Sequence, residues 1–142
     1  MSDIKSYQRL LAVQALYEAS INKKGIDISF NELISHIIES ANFKNKINNS
    51  KLLLTEQIYR GVRDNLIKID LILKSSLKNK SKIKSFDKLL LSIFRCGIYE
   101  ISLKKETSKK ILISEYLLIS NQFFGNKEAT LLNGVLDNLR EI

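Results

Sequence analysis

The chain has 142 residues, 44% hydrophobic and 27% charged, with a formal net charge of +8 and an isoelectric point near 9.6. That is the length of one ordinary domain, with enough apolar material for a core and enough charge for solubility. No apolar run approaches the roughly 18 residues of a membrane span, and the opening MSDIKSYQRLLAV carries an acid and soon turns amphipathic, unlike a signal peptide. A single cysteine, Cys96, excludes an internal disulfide framework and makes a cytoplasmic protein the default. The positive charge favours an anionic partner, nucleic acid ahead of a membrane surface. A composition rich in Lys, Ile and Asn would give the same charge with no binding role.

The periodicity is helical almost throughout, with no proline and only five glycines to interrupt it. The first helix is expected from Ser2 or Asp3, either of which can cap it, to Ser20. Tyr7, Leu10, Leu11, Val13, Leu16 and Tyr17 give it a broad apolar face. After NKKG a second helix opens at SFNE, where Ser29 and Glu32 have capping-box spacing; Leu33, Ile34, Ile37 and Ile38 are its inner stripe. The polar loop NFKNKINNS follows.

Residues 51–77 carry one apolar seam, Leu54, Ile58 and Val62, then Leu66, Ile69 and Leu73. Gly61 and Asn65 predict that this stretch bends or splits into two helices. Glu56, Arg60, Asp64 and Lys68 stand at steps of four with alternating sign, which stacks them on one solvated face as ion pairs. KNKSKIKS reads as a lysine-rich linker. Helices are then expected over 86–104, 108–123 and from Lys127 to the end. The sum is an all-α domain of about six or seven short helices, neighbours packing antiparallel across short connections.

Near the end stands Asn133-Gly134, a hairpin-turn dipeptide. Leu131, Val135 and Leu139, with Leu132 and Leu136, nonetheless keep helical spacing across it. A helical glycine costs roughly 1 kcal/mol relative to alanine, so it should have a use. The expectation is close approach of the last helix to a neighbour or a ligand.

Catalytic signatures are missing. The chain has no glycine-rich phosphate loop and no Gly-x-Ser-x-Gly elbow. His36, the only histidine, sits between Ile34 and Ile37 and reads as structural or solvent-facing, ahead of a metal or catalytic role. Cys96 sits beside Gly97 in an apolar helix, with no neighbouring base to make a thiolate, and reads as a packed thiol. Neither an enzyme nor a cofactor is expected. Arg95, amid apolar residues, needs an acceptor, and the segment through Tyr99 and Glu100 reads as a tie between helices.

Three segments in order, RLLAVQALYE (9–18), FRCGIYEI (94–101) with ILISE (111–115), and NGVLDN (133–138), resemble the NusB family of bacterial antitermination factors over nearly the whole chain. The resemblance implies two small helical bundles packed together, here about 1–77 and 85–142 with the linker at 78–84. It also implies that the protein binds boxA RNA together with NusE, the small-subunit ribosomal protein S-ten. The pair would help RNA polymerase and the other Nus factors read through terminators in ribosomal RNA operons. Some family members self-associate, so a homodimer is possible on this resemblance. The chain departs from the family in keeping only Lys5 and Arg9 where several arginines are common. It has Thr107-Ser108 for the usual Val-Pro, either of which can cap the helix that follows, Ile113-Ser114-Glu115 for Ile-Asn-Glu, and Lys127 and Leu131 where an acid and an aromatic are common.

A binder of unpaired RNA needs cations for phosphates and flat side chains for bases. Lys5 and Arg9, four apart on one helix face, lie by resemblance at the RNA-facing end. Phe123 matches a family aromatic near the RNA surface, with a core role equally open. Phe124 is a candidate for exposed stacking, and Lys127, placed in a turn, for a phosphate contact. By resemblance Tyr17 lies near the surface for the ribosomal-protein partner. Lysines 78, 80, 82 and 84 are either a solvated linker or a non-specific phosphate contact. Two rival readings keep the helical fold: the RNA-binding domain of a ribosomal RNA cytosine methyltransferase fragment, and a protein-interaction module whose charge is compositional.

Overall fold

The computed structural model describes residues 2–22, 29–41, 52–77 and 86–139. Residues 23–25 of NKKG, the loop at 42–50 and the lysine-rich linker lie outside them. So does the boundary between the two expected bundles. The described residues form seven α-helices and no strand: α1 (Ser2–Ile21), α2 (Phe30–Ala41), α3 (Leu53–Asp64), α4 (Leu66–Ser76), α5 (Lys88–Ile98), α6 (Lys109–Phe123) and α7 (Asn126–Asp137). A π-helical segment, Tyr99–Lys104, continues α5.

Two helices organise the rest. α1 packs against α2, α3 and α5, and α5 also meets α3, α4, α6 and α7. Ala12, Ala15 and Ala19 of α1 are fully buried, and side chains this small let neighbouring helices come close. Leu11, Val13 and Leu16 supply the bulk, in one core shared with Ile58, Tyr59, Ile69, Leu73, Phe94, Tyr116, Leu132 and Leu136. Arg95 forks onto Asp70, with Nε–Oδ1 and Nη2–Oδ2 both 2.9 Å, and so ties α5 to α4.

Local side-chain caps start α2, α5 and α6. Ser29 Oγ accepts from Glu32 N at 3.2 Å at the start of α2. Asp87 accepts from Leu89 N at 2.7 Å before α5. Ser108, not Thr107, caps α6, accepting from Ile111 N at 3.4 Å. Leu52 offers α3 no side-chain cap; Gln8 of α1 does so instead, its Oε1 accepting from Leu54 N at 2.8 Å. The split between α3 and α4 falls at Asn65, whose Nδ2 donates to Gly61 O at 2.8 Å. That break also interrupts the expected charge ladder: Arg60 bonds Glu56 at 2.7 Å, whereas Asp64 takes Arg63.

The glycines divide differently from expectation. A Cβ on Gly134 would meet nothing within 4 Å, so close packing is not the use of that residue. The turn dipeptide lies inside α7 on an exposed face, where hydrophobic burial of Leu132, Val135 and Leu136 overrides it. Close approach occurs at Gly61 instead. The ring of Tyr99 occupies the place of its Cβ, with Cζ only 2.1 Å from where that atom would sit.

Candidate nucleic-acid interface

Arg9 and Lys5 do not form a shared pair of exposed cations. Arg9 is 3% exposed, drawn inward by two carboxylates. Its Nε donates to Glu100 Oε1 at 2.7 Å and Nη2 to Glu100 Oε2 at 3.2 Å, a forked pair; Nη1 donates to Glu115 Oε1 at 3.0 Å. Ser6 Oγ donates to the same Glu115 oxygen at 2.6 Å, and Tyr116 OH to Glu100 Oε1 at 2.6 Å. α1, the π-helical segment and α6 are thereby joined around one guanidinium. Burial works against the Arg9 charge, but the hydrogen bond and charge of Glu100 outweigh it and hold its pKa above the ordinary value. Burial, reinforced by Glu100, pushes the Tyr116 hydroxyl and the Cys96 thiol well up. The sequence expectation for Arg9 is corrected accordingly: it is the buried tie among three elements, and its charge faces protein carboxylates.

Lys5 is exposed and makes no hydrogen bond or ion pair among the described residues. It lies on a cleft of about 420 Å³ that Arg9 also borders. The π-helical segment contributes Lys104, the loop after it Glu106 and Thr107, and α3 Leu53 and Gln57. Lys104 Nζ and Glu106 Oε2 are 2.6 Å apart. The Glu106 carboxylate is held below the usual range by that hydrogen bond, then by the charges of Lys104 and Lys5. Depressions of about 630 and 580 Å³ lie along α4. Although larger, they contain none of the RNA- or partner-binding candidates, Lys5, Arg9, Tyr17, Phe123, Phe124 and Lys127.

The remaining candidates stand apart from this cleft. α6 has 15 residues, so its ends are roughly 20 Å apart at 1.5 Å per residue. Phe123 ends α6 and is 42% exposed, while Phe124 turns inward and packs against the core, so the aromatic open to solvent is Phe123. Lys127 is exposed, in the first turn of α7 instead of a connecting turn, with no hydrogen bond or ion pair among the described residues. Tyr17 is half-buried on α1, two turns beyond Arg9. Lysines 78, 80, 82 and 84 lie outside the described residues.

Sequence reasoning missed two features. The Lys104–Glu106 pair had no signal, because residues two apart do not face each other on a helix. Gln8 looked like any polar residue beside Arg9. Its second role is to accept from Thr55 N, while Thr55 Oγ1 donates to its carbonyl at 2.8 Å.

The described residues thus form an all-helical body with a cleft lined by Lys5, Lys104 and Glu106, and with Phe123 and Lys127 exposed on either side of the α6–α7 connection. Comparison with known proteins gives its lineage. The chain belongs to the NusB family, matching it over residues 6–141. It is 29% identical over 131 residues to the transcription antitermination protein NusB of Nitrobacter hamburgensis, spanning 92% of this chain and 82% of that one. The protein of the same name from Caulobacter vibrioides is 28% identical over 138 residues, 94% of this chain and 89% of that one. Proteins of this family are transcription antitermination factors, not enzymes. Among solved structures, T. maritima NusB superposes with a TM-score of 0.76 at 19% identity, over 93% of this chain and 87% of that one. NusB from a complex of antitermination factors NusB and NusE with double-stranded RNA gives 0.79 at 18% identity, over 96% of each chain. These structural likenesses establish the fold.

Proposed function

We propose that this protein is a cytoplasmic transcription antitermination factor that holds boxA-type single-stranded RNA jointly with ribosomal protein NusE, supporting elongation through ribosomal RNA operons. The observation that carries the reading is the exposed, unpaired Lys5 on a basic cleft, in a chain matched to its family over residues 6–141. Phe123 and Lys127 add a flat ring and a free cation at the α6–α7 corner. Support for the partners comes from the solved complex of NusB and NusE, which contains double-stranded RNA.

The mechanism is scaffolding. Lys5 and Lys127 neutralise phosphates, Phe123 stacks on a base, and NusE docks on the side of α1 that carries Tyr17. Together they keep an RNA–protein assembly on the elongating polymerase. Arg9 serves as a positioning residue, fixing the N-terminal half of α1 so that Lys5 faces the cleft.

Lys5→Gln and Lys127→Gln should each lower RNA affinity and flatten its salt dependence by about 0.7 in log–log slope, the share of one phosphate on a single strand. Phe123→Ala should cost about 1–3 kcal/mol of RNA binding, the worth of one base–aromatic stack, with little loss of fold stability. Fluorescence anisotropy reads both effects. Unchanged slopes and affinity in all three variants would remove these residues from the site.

A further inference from the structure

We propose that Glu106 is an internal occupant of a phosphate subsite built by Lys104 and Lys5, and that an RNA phosphodiester displaces it on binding. The inference rests on the RNA-binding reading above and adds to it a subsite with a built-in competitor.

The two partners of the ion pair are held unequally. The Lys104 side chain is 10% exposed, its stem laid along the cleft wall, whereas Glu106 is 68% exposed. The cation is therefore fixed, and the carboxylate is the partner free to leave. Their meeting depends on an unusual backbone. Lys105 between them is the only non-glycine residue with positive φ among the described residues, at φ 57 and ψ 29. This left-handed turn swings Glu106 back over Lys104, which continued helix would not allow. A lysine held in this left-handed region, which favours glycine or asparagine, is strained.

The carboxylate sits where a phosphate would. It bonds Lys104 at 2.6 Å and feels the charge of Lys5 across the cleft. Gln57 and Thr107 border the same space and can hydrogen-bond a phosphodiester or a ribose hydroxyl. Leu53 and Ile4, 65% and 50% exposed, give the cleft an apolar rim against which a sugar or base can rest. An exposed ion pair is a weak bond. A phosphodiester arriving on a strand already held by other cations competes for Lys104 with the advantage of being tethered. Weak or incidental anions lack that advantage, so Glu106 raises the threshold for non-specific binding.

The test is a double-variant cycle on RNA affinity, by anisotropy with a fluorescein-labelled boxA-like RNA in the presence of NusE. Glu106→Gln should bind about two- to fivefold more tightly at low salt, the range an exposed pair is worth, and the gain should fade as salt rises. Lys104→Gln should bind more weakly, and Glu106→Gln should add nothing on that background. Glu106→Ala should reproduce Glu106→Gln, and urea unfolding should confirm that all variants are folded. A gain of equal size with and without Lys104 would make the effect general charge and overturn the subsite; so would no gain at all. Wild-type protein that binds no RNA with NusE would bring down the RNA-binding reading and the subsite together.

Discussion

Replacing Arg9 with Met keeps the length and apolar stem of the side chain and removes the guanidinium. Glu100, 1% exposed, would keep Tyr116 as a donor but lose both charged bonds from Arg9. Glu115, 11% exposed at its side chain, would keep Ser6 and some water. Removing one partner of a buried ion pair costs about 3–5 kcal/mol, because the remaining charge is stranded. That is a large share of the about 5–15 kcal/mol that holds an ordinary domain. Urea unfolding followed by circular dichroism at pH 7 should show the midpoint falling by about 1–3 M with little change in slope. Adding Glu100→Gln to Arg9→Met should recover part of the loss, since the stranded charge is then gone. A loss under about 1 kcal/mol, typical of a surface residue, would refute the claim that Arg9 is the tie between α1, the π-helical segment and α6.

The two glycines should respond in opposite directions. Gly134→Ala, with open space at the Cβ, should stabilise by about 0.5–1 kcal/mol through helix propensity, whereas Gly61→Ala must displace the Tyr99 ring and should destabilise in the same urea assay. Equal effects would contradict the packing described at Gly61. Tyr116 and Cys96 have native pKa values raised above ordinary values of 10.0 and 9.0. Their contribution is therefore complete below those values and lost as pH rises, because the unfolded chain releases its protons first. Stability should fall above about pH 9, by up to about 1.4 kcal/mol per pH unit for each group ionised only in the unfolded state. A thiol reagent should label Cys96 only in step with unfolding; fast labelling of native protein would mean that it is not enclosed.

The helices were legible because their apolar periodicities are long. Leu54, Ile58 and Val62, then Ile69 and Leu73, face the core as their spacing predicts, and the split falls at Asn65. The capping residues Ser29 and Ser108 were legible because their bonds are local. The fate of Arg9 was not, since Glu100 and Glu115 lie 91 and 106 residues away. A cation on a helix face looks the same in sequence whether it meets phosphate or carboxylate. Phe123 and Phe124 are adjacent, and a small rotation at the helix end decides which ring is buried. The π-helical segment and the left-handed Lys105 left no periodic signal, and the Lys104–Glu106 contact depends on that turn.

The central claim is joint recognition of boxA-type RNA by this protein and NusE. It is tested most directly by fluorescence anisotropy with a boxA-like RNA and a scrambled control of equal length, each measured with and without NusE at fixed salt. NusE should tighten binding of the boxA-like RNA well beyond that of the scramble. Equal binding of the two RNAs, with no added affinity from NusE, would contradict it.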